Sequence, residues 1–281
     1  MLLQSKEQKS LCGLLEDEKV KLIIFATGGD FLIEMLPYLD WEYIKTLPPK
    51  WLQGYSDITG IEFLWTTILD TASIYCQTIK DYAMHPWYPN LSNALEFAKG
   101  NHPDQQSFPY HEKVDFSAKE NEDYTYQLTE KTIWKNLYGE KEIIMQGRLL
   151  GGCLDVIQSL WGTKWDKIHE YIEKYKEEGI IWYLECCEIS TPELYRKLWQ
   201  MQQAGYFRYC KGIIFGRPLF VKEDYEMSHD NAIRECMQKL HIPIITGADI
   251  GHVAPQMAMV NGAIVKIISK EGKGIIETYL K

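Results

Sequence analysis

Val20-Lys-Leu-Ile-Ile-Phe-Ala-Thr-Gly-Gly-Asp-Phe-Leu-Ile-Glu-Met-Leu-Pro-Tyr-Leu-Asp-Trp41 decides how this chain is read. Leu22 to Ala26 form a nearly unbroken apolar run, so a buried strand is expected over 20–27. Gly28-Gly29 turn the chain. Leu32, Met35, Leu36 and Leu39 then recur at helical spacing. Strand, glycine turn and helix is the order in which α/β proteins hold a ligand or a nucleophile at the carboxyl end of a strand. Glycines permit positive φ and close backbone approach, and the amides of Gly28-Gly29-Asp30 suit an anion or an oxyanion. A tight turn without chemistry is the competing reading. The dinucleotide fingerprint GxGxxG is absent.

Outward from this turn the pattern is that of an α/β protein. Residues 4–18, with Leu11, Leu14 and Leu15 on one side, read as a helix. Pro48-Pro49 mark a loop, and Trp51–Gly60 hold a short strand and a polar cluster. There Ser56 or Asp57 is expected to cap a helix burying Ile61, Leu64, Trp65 and Ile68. Thr71–Thr78 suits a strand, and Leu91–Lys99 a helix closed by Gly100. The polar stretch 101–132 reads as a linker or extended excursion, and 134–150 as antiparallel strand. Gly151-Gly152 open a second α/β pattern. It has a helix face at Leu154, Ile157 and Leu160, a charged helix over 166–178 and a buried strand Ile180–Cys187. A helix from Thr191 to Gln203, a strand at 211–216, a helix at 230–240 and a strand at 242–246 follow. A hairpin over 262–269 and 274–279 closes the chain.

Composition sets bounds. The 281 residues are 46% hydrophobic and 25% charged, ordinary values for a globular protein of one or two domains. The net charge of −9 and the lack of a Lys/Arg cluster argue against a nucleic-acid partner. No apolar run approaches the length of a membrane span, and the N-terminus lacks the apolar core of a signal peptide. The seven cysteines include no CxxC pair and read as reduced thiols. A zinc site would need spaced Cys/His pairs, which are missing. Cys186 and Cys187 are expected on opposite faces of a strand.

Two more strand ends collect reactive side chains. Glu185 follows Ile-Ile-Trp-Tyr-Leu, and a carboxylate there is costly unless paired. It suits the orienting member of a triad, or a surface glutamate just past the strand. His252, in Gly247-Ala-Asp-Ile-Gly-His, lies in a glycine-flanked loop after a strand, free to serve a neighbouring site as general base. A structural loop histidine is the alternative.

Taken in order, several segments resemble the LD-carboxypeptidase family, the serine peptidases that include the microcin C immunity peptidases. They are Gly28-Gly-Asp with Met35-Leu-Pro-Tyr-Leu-Asp40, Gly54-Tyr-Ser-Asp-Ile-Thr59, Gly147-Arg-Leu-Leu-Gly-Gly-Cys-Leu154, Trp161-Gly-Thr163, Leu184-Glu185 and Gly251-His252. The resemblance implies a flavodoxin-like N-terminal α/β domain, its first strand missing here, over 1–115. A linker over 116–132 and a C-terminal swivelling α/β domain over 133–281 follow. It implies a cytoplasmic homodimer without cofactor or metal, with the active site between the domains. The implied reaction releases a C-terminal D-amino acid from murein-type peptides, so a small peptide or muropeptide is the expected partner, with neither nucleic acid nor membrane. Glu185 and His252 match the family's glutamate and histidine. Gly29, Asp30, Ser56 and Asp57 fall on the substrate and oxyanion side. The family's serine position is Leu32, whose side chain cannot attack a carbonyl. Thr27 and Ser56 are the substitutes nearby, and a relative that binds peptide without cleaving it is the alternative function.

Overall fold

The computed structural model describes residues 2–113, 125–219, 222, 223 and 225–280, with side chains from residue 8 onward. Its strands, in chain order, are β1 (Leu22–Ile24), β2 (Trp51–Gly54), β3 (Ser73–Tyr75), β4 (Gln105–Gln106), β5 (Tyr110–Glu112), β6 (Leu128–Lys131) and β7 (Lys135–Asn136). They continue with β8 (Glu142–Cys153), β9 (Ile180–Glu185), β10 (Cys210–Gly216), β11 (Ile244–Ala248), β12 (Met259–Asn261), β13 (Ile264–Lys270) and β14 (Lys273–Tyr279). A four-stranded sheet has the order β1-β2-β3-β12, and an eight-stranded sheet the order β4-β14-β13-β8-β9-β10-β11-β7.

β1, β2 and β3 are parallel, each followed by helical chain, and β12 returns from far along the sequence to pair antiparallel with β3. In the larger sheet β8, β9, β10 and β11 are parallel, and β13 and β14 complete an antiparallel edge. The central parallel strands are the most buried, as such sheets require: every residue of β9 is buried. One apolar core runs through both sheets, from Ile23 and Leu52 to Leu150, Ile180 and Ile213. Across it Phe63, on the helix Thr59–Leu69, stacks on Trp182 of β9 with ring centroids 6.2 Å apart. Among the described residues no helix is long and apolar enough to cross a membrane.

Most expected elements are found within a few residues of their expected limits, and the departures have physical causes. The chain after Gly29 is a 3-10 helix, Leu32–Tyr38, with Pro37 inside it. Proline lacks the N–H that an α-turn needs. Gly28 and Gly29 are not among the positive-φ residues. Gly28 is required for space instead, since a Cβ there would stand 3.0 Å from that of Ser56. Helix Thr59–Leu69 has no side-chain cap: Ser56 and Asp57 lie in a 3-10 turn ahead of it. Leu14 is exposed although Leu11 and Leu15 are buried. Residues 101–132 are not a plain linker: β4 extends the large sheet and β5 pairs with β6. Residues 114–124 of that stretch lie outside the described residues. β8 is only half antiparallel, pairing with β13 on one side and parallel to β9 on the other. β9 stops at Glu185, so Cys186 and Cys187 stand beyond the strand rather than on its two faces.

Candidate active site

The site is built where β9 ends. An unbroken apolar strand carries Glu185 to the carboxyl edge of the sheet, where it is 1% exposed. A carboxylate so placed must have partners. One is His252, whose Nδ1 lies 2.9 Å from Oε2. The other is Tyr75, whose hydroxyl donates to Oε1 at 2.6 Å. Facing a carboxylate, Nδ1 is the protonated nitrogen, which turns Nε2 outward as the working atom. Nε2 is buried and has no partner in full hydrogen-bond geometry.

Close passage of two backbones brings these groups together. Gly251 has φ +98°, and a Cβ there would stand 2.6 Å from Oε2 of Glu185. At Gly216 a Cβ would collide with the Ile250 carbonyl and stand 3.0 Å from the Glu185 Cβ. Glycine is thus the residue that lets the loop after β11 lie on the end of β9. A buried ion pair anchors that loop: Arg217 Nη1 donates to Asp249 Oδ1 at 2.5 Å, and Nη2 to the carbonyls of Val253 and Pro255 at 2.8 and 2.5 Å. Trp134 donates to the other oxygen of Asp249 at 2.8 Å.

Electrostatics follow from the geometry. Burial alone pushes Glu185 up. The charge of His252, with hydrogen bonds from His252, Tyr75 and Cys153, outweighs it and holds the carboxyl below its ordinary range. Burial pulls His252 down, yet the Glu185 charge, the hydrogen bonds with Cys187 and Glu185, and the Cys187 charge raise it to about 10. The edge of Tyr55 packs on the His252 ring, with ring centroids 5.2 Å apart.

The glycine turn reaches this pair through one relay. The Ser56 N–H lies 3.5 Å from the Tyr75 hydroxyl, which donates to Glu185. Ser56 itself has φ +65°. Asp57 accepts the Leu32 N–H at 2.9 Å. Burial raises Asp57, bonds from the Leu32 and Phe31 amides lower it, and the charge of Asp30 raises it again. Gly29 and Asp30 are exposed beside it. Leu32 is partly buried and packs against the core: its Cδ2 would meet a Cβ on Gly60 at 3.9 Å. A cavity of about 540 Å³, lined in part by Trp51, Arg148, Tyr171 and Gly262, is not lined by Glu185, His252 or Leu32. Among the described residues no group of three or more His, Cys, Asp and Glu side chains could hold a metal ion.

Tyr75, Arg217, Asp249 and Cys187 were not singled out as site residues from sequence. Tyr75 sits in a short β-former run that signals only a strand. Asp249 and Cys187 carry a faint signal, each lying within three residues of a residue that was singled out.

Comparison with known proteins now bears on the site. Residues 4–76 match the LD-carboxypeptidase N-terminal domain and residues 146–267 the LD-carboxypeptidase C-terminal domain. The chain belongs to the LD-carboxypeptidase family. It is 25% identical to the microcin C7 self-immunity protein MccF of Escherichia coli over 95% of this chain and 77% of that protein. It is 24% identical to a Bacillus subtilis protein named as a probable murein peptide carboxypeptidase, over 94% of this chain and 74% of that one. An MccF-like protein of Bacillus anthracis shares the fold with a TM-score of 0.79 at 22% identity, over 98% of this chain and 82% of that one. A muramoyltetrapeptide carboxypeptidase of Oxalobacter formigenes does so with 0.74 at 18%, over 98% and 83%.

Proposed function

We propose that this LD-carboxypeptidase-family protein hydrolyses an amide beside a free carboxyl terminus, releasing a C-terminal D-amino acid from a murein-type peptide. The observation that carries this reading is the buried Glu185–His252 pair, 2.9 Å apart at the end of a parallel strand with Nε2 turned away from the carboxylate. Such a pair orients an imidazole and moves a proton between nucleophile and leaving amine. Membership of the family supports this substrate class. Two relatives carry murein or muramoyltetrapeptide in their names, and MccF has been crystallised with glutamyl sulfamoyl guanosine and aspartyl sulfamoyl adenosine, both amino acid adducts. Gly29 and Asp30 are the proposed oxyanion donors, and Ser56 and Asp57 shape the substrate side. The family's serine route is closed, because Leu32 occupies that position. A cytoplasmic homodimer with domains over 1–115 and 133–281 completes the proposal.

A second reading rests on Leu32 itself: a relative that binds muropeptide without cutting it. Incubation with murein tetrapeptide, with D-alanine followed by mass spectrometry, separates the two. The hydrolase reading expects release that disappears in His252→Ala. Binding by calorimetry without release, in wild type and variant alike, would support the binder.

A further inference from the structure

We propose that the cavity of about 540 Å³ at the amino ends of β2, β3 and β9 is a second binding site, built for a small aromatic carboxylate. It stands apart from the hydrolase reading and does not depend on it.

Strand direction separates the two sites. Trp51 opens β2, and Ala72 immediately precedes β3. Arg148 is the register partner of Ile180, the first residue of β9. All three of these residues line the cavity. Tyr75 and Glu185 end β3 and β9, so the cavity and the candidate active site lie at opposite ends of the same strands. The cavity takes one wall from each sheet, and junctions of this kind are where ligand sites concentrate.

The charges at the cavity are unbalanced towards positive. Lys50 is 4% exposed, and its ammonium donates to the carbonyls of Asp17 and Val20 at 2.7 and 2.8 Å. Those partners are neutral, and a buried cation held without an anion is costly. Arg148 donates from Nε to Glu178 at 2.6 Å and from Nη1 to the Gly262 carbonyl. Its guanidinium carbon lies 3.8 Å from the centroid of the Tyr175 ring. Among the described residues Nη2 makes no hydrogen bond, which leaves its donors for a ligand. Asp70 is the acid that lines the cavity, and its oxygens are taken: Lys174 donates to Oδ2 and the Tyr175 hydroxyl to Oδ1, both at 2.5 Å.

A stranded hydroxyl marks the same place. Tyr171 is 4% exposed, and its buried hydroxyl has no partner in full hydrogen-bond geometry. That oxygen would stand 3.7 Å from a Cβ on Gly262, a residue that also lines the cavity. A buried hydroxyl left without a partner is destabilising, and a carboxylate oxygen accepts from it. The rings of Tyr171 and Tyr175 lie with centroids 4.9 Å apart, and Trp51 adds a third aromatic surface. Such walls suit a flat apolar body, and the volume suits one or two fused rings. The carboxylate answers Arg148 and the Tyr171 hydroxyl, and the ring answers the aromatic walls.

The test is calorimetry of the whole protein with indole-3-acetate as probe and indole-3-acetamide as its uncharged counterpart, both at millimolar concentration. The acetate is expected to bind saturably, one to one, and the amide at least about tenfold more weakly, as befits loss of a charged acceptor. Tyr171→Phe is expected to unfold at the wild-type temperature or above it, because a stranded hydroxyl is removed, yet to bind the acetate severalfold less tightly. Arg148→Gln is expected to weaken binding about tenfold. His252→Ala is expected to bind the acetate as wild type does. Absence of saturable binding to folded wild type would overturn the proposal. So would equal affinity for the two probes. Binding that is lost in His252→Ala and kept in Tyr171→Phe would place the carboxylate at the candidate active site and overturn it as well.

Discussion

Tyr75 and Glu185 are 110 residues apart in sequence and joined by a 2.6 Å hydrogen bond. One ends β3 of the first sheet and the other ends β9 of the second, so this buried contact joins the two sheets at the point where the chemistry is proposed.

Tyr75→Phe keeps the ring and removes the donor. A buried carboxylate then loses one of its partners, which costs about 1–3 kcal/mol in similar settings. The urea midpoint at pH 7 is expected to fall accordingly. Glu185 is expected to titrate higher than in wild type, so the acid limb of stability moves to higher pH. An unchanged midpoint would mean that the contact carries no weight.

The Glu185–His252 pair makes stability depend on pH at both ends. His252 is raised from 6.5 to about 10 in the folded state. Its contribution is therefore complete below 6.5 and is lost as pH rises through about 10. Glu185 is lowered from 4.5, so its contribution is present above that value and is lost as pH falls through the depressed one. Denaturant midpoints measured from pH 3 to 10.5 should fall at both ends in wild type. His252→Gln should flatten the alkaline fall, and an equal fall in both proteins would place its origin elsewhere.

Arg217 and Asp249 hold the loop that carries His252. Arg217→Met leaves Asp249 buried without its cation, a change of about 3–5 kcal/mol where such pairs have been broken. The loss should be partly recovered in Arg217→Met/Asp249→Leu, because the second change removes the stranded charge. Thermal unfolding of wild type and the two variants checks the order. In both, a looser His252 loop should lower kcat more than it raises KM.

Much of this was legible in the sequence. The apolar run into Glu185, the glycine-flanked loop at His252 and the order of strands and helices all depend on local pattern, and local pattern is what a sequence displays. What was hidden depends on contacts between distant segments. β12 returns to the first sheet after a separation of nearly two hundred residues, and nothing in Met259–Asn261 signals it. The Gly28–Gly29 turn looked like a left-handed bend, but the reason for Gly28 is the Ser56 side chain packed against it. Asp57 looked like a helix cap and instead accepts an amide from the glycine turn.

The measurement that tests the central claim most directly is kcat/KM for D-alanine release from murein tetrapeptide by wild type and Glu185→Gln. Glutamine keeps the shape but neither the charge nor the enforced histidine tautomer. A fall of about 10³–10⁴ is expected, as when the orienting acid of a triad is replaced by its amide. Equal rates in the two proteins would show that the Glu185–His252 pair does not run the reaction.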